Sequence, residues 1–92
     1  PGEPFDTDGF WSAVNANKPY PPVAIRRNIE GDVTIQVTLD SSGNLVSADV
    51  VSSTNSLLAD AALKAVYNAT PYHNPTGESV TVNVPISFRL TN

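Results

Sequence analysis

Residues 80–90 read Val-Thr-Val-Asn-Val-Pro-Ile-Ser-Phe-Arg-Leu, an unbroken alternation of apolar and polar positions with a proline in the middle. A period of two predicts a strand with one buried face. Proline has no N–H to give to a ladder, which confines it within sheets to an edge, a bulge or a strand start. The strand is therefore expected at a sheet edge, with its main-chain donors and acceptors free for a guest. Residues 33–40 alternate in the same way, with Val33, Ile35, Val37 and Leu39 on one face and Thr34, Gln36 and Thr38 on the other. Asp40-Ser41-Ser42-Gly43-Asn44 supplies hairpin-turn chemistry, including a glycine able to take positive φ. Residues 45–53 should then return antiparallel, placing Val46, Ala48 and Val50 on the apolar face and Ser47 and Asp49 on the polar one.

The apolar spacing lengthens in the next segment. Leu58, Ala61, Ala62, Ala65, Val66 and Ala69 recur at three and four residues, which predicts an amphipathic helix over 57–68, opened by the capping residues Ser52 to Ser56. Its alanines allow close approach to a sheet, and Pro71, Pro75 and Gly77 force a loop before the last strand. Near the start, Phe10, Trp11 and Val14 mark a short helix within 9–17 behind an acidic Asp6-Thr7-Asp8. Phe10 and Trp11 read as core anchors, with an exposed recognition surface as the alternative. Lys18-Pro19-Tyr20-Pro21-Pro22 is stiff and extended, and it pre-sets a short helical stretch at 23–27.

A helical crossover between the second and third strands can skip a neighbour. The expected fold is α+β: a three-stranded antiparallel sheet in the order second, first, third, with helices on one face, in the sequence αββαβ. The proline-free first strand is then central. In an antiparallel pair, alternate residues direct their backbone groups to alternate sides. If Val84, Ile86 and Phe88 bond the central strand, Asn83, Pro85 and Ser87 turn theirs outward, and Pro85 loses nothing.

Composition narrows the function. At 92 residues the chain supports one small core, with residues 20–92 as the domain and 1–19 as an N-terminal segment carrying a short helix. No apolar run nears the roughly 20 residues that span a bilayer. A net charge of −4 and five basic residues, of which only Arg26-Arg27 are adjacent, argue against nucleic acid. Cysteine is absent, excluding a disulfide framework and thiolate chemistry. His73 is the single histidine and cannot build a structural metal site alone. No Gly-rich phosphate loop or nucleophile-base spacing occurs, so neither an enzyme nor a cofactor or metal is expected. The chain opens on Pro1-Gly2-Glu3-Pro4 without methionine, as an excised domain would.

Tyr20-Pro21, Glu30-Gly31-Asp32-Val33, Gly43, Ser52-Ser53, Asp60-Ala61-Ala62-Leu63-Lys64-Ala65-Val66 and Val84-Pro85-Ile86-Ser87-Phe88 follow one another in an order and spacing that resembles the C-terminal domain of the TonB family over about residues 20–90. The resemblance implies a periplasmic domain of a Gram-negative bacterium, held in the full protein by an inner-membrane helix and a proline-rich spacer. It implies outer-membrane transporters as partners, each presenting a short Ton box that adds as a strand beside the domain's last strand. Energy from the proton gradient, harvested by ExbB and ExbD through the missing N-terminal regions, would drive active uptake such as that of siderophore iron. Carried onto this chain, the partner-binding residues are Thr81, Asn83, Pro85, Ser87 and Arg89, together with Asn17, Lys18, Tyr20 and Pro21. Tyr20-Pro21 reads equally as a tight turn capping the core. Some relatives carry a further C-terminal tail, whereas this chain stops two residues after Leu90; the edge is then expected to be uncovered, favouring docking or a weak homodimer. The alternatives are a TolA-like envelope-integrity module and a TonB-like module of a larger membrane sensor.

Overall fold

The computed structural model describes residues 2–90; positions 1, 91 and 92, at the outer ends of the two expected segments, lie outside the described residues. The chain forms α1 (Thr7–Ala16), α2 (Pro22–Arg26), β1 (Gly31–Leu39), β2 (Leu45–Ser53), α3 (Ser56–Ala69) and β3 (Val80–Phe88). Local chemistry sets the helix ends. The Asp6 carboxylate accepts from the Gly9 N–H at 3.0 Å, so α1 starts two residues before the expected position. Pro22 opens α2 at a position where its missing N–H costs nothing. Asn55 caps α3 by accepting from the Leu57 N–H at 2.8 Å.

The three strands form one sheet in the order β2-β1-β3, with both pairings antiparallel. The proline-free strand is central and the proline-bearing one lies at an edge, as the alternation predicted. Val33, Ile35, Val37 and Leu39 of β1 are fully buried, and so are Val84, Ile86 and Phe88 of β3. Against this face lies α3, whose buried Ala61, Ala62 and Ala65 let its backbone approach closely. α1 packs against both α3 and β3 and buries Phe10 and Val14 in the same core. Phe5, Phe10 and Tyr72 meet at tilted or edge-on angles with centroids 5.2–5.8 Å apart, tying the N-terminal segment to the loop after α3.

β2 departs from the expected pattern. Leu39 pairs with Leu45 while Thr38 pairs with Ser47, which leaves Val46 as an extra residue in a bulge. A bulge sets two residues against one and reverses the alternation beyond it. Leu45 therefore takes the core side, and Val46 is 62% exposed rather than buried. A second irregularity between Thr34 and Ile35 leaves Val51 extra and 58% exposed. Val50 stands opposite Ile35 yet remains 41% exposed.

The β1–β2 turn depends on Gly43, which sits at φ +86°. Its N–H donates to the Asp40 carbonyl, and its own carbonyl accepts from the Tyr72 N–H at 3.0 Å. The backbone N–H of Asn44, with that of Ser42, holds the Asp40 carboxyl below the usual carboxylate range. A Cβ at Gly43 would overlap the Tyr72 carbonyl oxygen. Gly43→Ala is expected to lose about 1–2 kcal/mol from the left-handed conformation alone, and more from that overlap, as urea unfolding will measure.

Candidate functional site

Two hydrogen bonds establish which way β3 presents its backbone. The Pro85 carbonyl accepts from Asn15 Nδ2 at 3.2 Å, and the Ser87 N–H donates to Asn15 Oδ1 at 3.3 Å. Asn15 belongs to α1, outside the sheet, so residues 85 and 87 direct their groups away from β1. By alternation Thr81 and Asn83 do the same. Pro85 stands opposite Thr34 with its lost N–H on the outer side, and the ladder is intact.

The edge divides into two halves. No bond from the described residues reaches the outward N–H and C=O groups of Thr81 and Asn83; the Thr81 side chain only pairs with that of Thr38, at 3.0 Å across the ladder. Beside them Val80 and Val82 are half-buried on the core face. The other half is covered, which corrects the expectation of a wholly open edge. Besides the two Asn15 bonds, the Lys18 ammonium donates to the Ser87 carbonyl. It also lies 5.6 Å from the centroid of the Phe88 ring. Partial burial, and then the Arg89 charge, lower the Lys18 pKa from its ordinary value.

The other residues singled out from sequence distribute as follows. Tyr20 stands edge-on to Phe88 with centroids 5.6 Å apart, and its hydroxyl donates to the Ile29 carbonyl. Burial, then the Glu30 charge, raise its pKa. Pro21 lines a shallow cleft of about 280 Å³ between the proline-rich stretch and α3, with Leu57, Asp60 and Lys64 opposite. Asn17 ends α1, its side chain donating to the Ala13 carbonyl at 2.7 Å and its carbonyl accepting from Asn68. Arg89 has left the strand. Its guanidinium grips both Asp32 carboxylate oxygens at 3.1 Å and the Gly31 carbonyl at 3.0 Å, while the Leu90 N–H donates to Glu30. These bonds end β3 at Phe88 rather than at Leu90. The structure thus brings Lys18 and Tyr20 to the end of β3 and keeps Asn17 and Pro21 on the flank toward α3.

Asn15 is the residue that the sequence did not reveal. Its one signal is its place on α1, beside Val14 and one turn after Trp11, where a polar residue borders the apolar stripe. Trp11 is partly buried, and its indole N–H finds no acceptor among the described residues. Among the described residues no three His, Cys, Asp or Glu side chains gather into a metal-binding group, and no helix is long and apolar enough to cross a membrane.

Fold and site together define a small α+β domain with a proline-bearing strand edge, half open and half covered from within. Residues 16–90 match the family described as the Gram-negative bacterial TonB protein C-terminal, and the chain belongs to that family. It is 32% identical over 80 residues to protein TonB of Helicobacter pylori, a match covering 86% of this chain and 29% of that protein. With protein TonB of Pasteurella multocida it shares 40% identity over 81 residues, covering 86% and 32%. The chain thus spans about a third of the length of these relatives. The solution structure of the H. pylori TonB C-terminal domain superposes with a TM-score of 0.80 at 30% identity, covering 90% of this chain and 78% of that one.

Proposed function

We propose that this domain is the periplasmic grip of a TonB-type energy transducer. It binds the Ton box of outer-membrane transporters by strand addition at β3 and passes on proton-motive force for active uptake. The observation that carries this reading is the outward backbone of Thr81 and Asn83, which no bond from the described residues reaches, on an edge strand in a chain of the TonB family. The full-length protein would be anchored in the inner membrane and work with ExbB and ExbD through regions beyond this domain. The role is binding, not catalysis. Family membership favours it over an envelope-integrity module.

Strand addition suits a domain that serves several transporters. Main-chain bonds supply the affinity whatever the guest's side chains, and pockets for alternate residues tune it. Four bonds at the open half give about 2–6 kcal/mol gross, before association costs of similar size or larger. Apolar guest side chains lying over Val80 and Val82 must supply the remainder, so the expected binding is weak to moderate. Such a contact is reversible, yet a pull along the strand loads all its bonds together.

Titrating the 15N-labelled domain with a Ton-box peptide tests the reading. The expected result is amide shifts concentrated at residues 80–84 and at Ser87, with β2 unmoved. Shifts confined to β2, or to the cleft beside Pro21, would overturn it.

A further inference from the structure

Resting on that docking reading, we infer that the Asn15 carboxamide is a built-in stand-in for the guest strand, which together with Lys18 keeps the far half of the β3 edge closed until a guest displaces both. In a parallel pair, one residue donates its N–H to the carbonyl before its opposite number and accepts from the N–H after it. Asn15 does this around Ile86, with Nδ2 on the Pro85 carbonyl and Oδ1 on the Ser87 N–H. Only one orientation of the carboxamide serves both, because the Pro85 carbonyl can only accept and the Ser87 N–H can only donate. Nδ2 bonds the Trp11 carbonyl at 2.9 Å as well, which holds the side chain against its own helix. Lys18 occupies the next outward acceptor, the carbonyl of Ser87.

Two consequences follow for a guest. It engages the open residues 81 and 83 first, and pairing spreads toward Ser87 only as Asn15 and Lys18 withdraw. The guest residue that replaces Asn15 must also carry an N–H, since the Pro85 carbonyl otherwise loses its donor; a guest proline there is rejected. The closed state lowers apparent affinity by the fraction of molecules that are open.

Asn15→Ala, a change that favours helix, tests this in the free domain and with a Ton-box peptide. Without peptide, hydrogen exchange at the Ser87 amide is expected to quicken tenfold or more, while the Ile86 and Phe88 amides in the ladder hold their rates. With peptide, affinity is expected to rise about three- to tenfold, the order of one net hydrogen bond. Lys18→Ala should raise affinity in the same direction and leave Ser87 exchange unchanged. Unaltered exchange at Ser87 would overturn the cover. Equal peptide affinity for wild type and Asn15→Ala would overturn the gate while docking stands. If Ser87 opens as expected but the peptide binds neither protein, the cover is supported and the docking reading falls.

Discussion

Phe88→Ala is expected to cost about 3–5 kcal/mol of stability, the range for emptying a fully buried aromatic site. The ring is buried, and it is the last residue of β3 to pair, opposite Gly31. Tyr20 meets it edge-on, an arrangement worth about 0.5–1.5 kcal/mol beyond buried area. The Lys18 ammonium lies 5.6 Å from its centroid. One side chain therefore joins the end of the edge strand to the chain between α1 and α2. A domain of this size has about 5–15 kcal/mol in total, and a small core places it toward the low end. The variant should be partly unfolded at 37 °C, as circular dichroism and urea denaturation will show. Ser87→Ala, at the exposed neighbour, should stay within about 0.5 kcal/mol of wild type. A loss below about 1 kcal/mol for Phe88→Ala would mean that the site collapses around the gap and that Tyr20 is held by its bond to Ile29 alone.

The same residue illustrates what was legible in the sequence. The alternation through residues 80–88 placed Phe88 on the core face, and Pro85 placed its strand at the edge, because each follows from the strand period and a missing donor. The central place of β1 followed from the crossover through α3. Patterning could not see the bulge at Val46. There a single extra residue reverses the faces, and Leu45-Val46 offers two apolar candidates for one core position. It could not see the cover on the edge either. Asn15 lies 70 residues before Pro85 in the chain, and nothing in a short polar side chain announces which distant backbone atoms it will meet. The end of β3 was hidden for a related reason: the strand alternation continues through Arg89 and Leu90, but β3 stops at Phe88, where Asp32 and Gly31 draw the Arg89 guanidinium back over the end of β1. Contacts made by side chains between elements are set by packing, which a one-dimensional pattern does not encode.

Asn83→Pro is expected to leave the domain folded and to weaken Ton-box docking by tenfold or more. Asn83 pairs with Gln36 across the ladder and directs its N–H outward, the same phase as Pro85, which the fold already accepts two residues on. The proline therefore removes no ladder bond. An antiparallel-strand φ of about −140° must move toward about −65°, a local strain that should cost about 1 kcal/mol and leave cooperative unfolding intact. At the edge the change is larger in effect. With Pro85 mute and Ser87 held by Asn15, Thr81 and Asn83 supply the open outward donors, and the variant keeps one of them. A guest carbonyl facing the new ring is desolvated without a partner, at about 1–3 kcal/mol, which is roughly tenfold or more in affinity. Asn83→Ala, which retains the N–H, should bind within about twofold of wild type. Calorimetry with a Ton-box peptide, alongside an amide spectrum that certifies the fold, separates the two variants. Wild-type affinity in a folded Asn83→Pro domain would mean that the guest does not pair with this stretch of backbone, and the proposed docking surface would have to be sought away from β3.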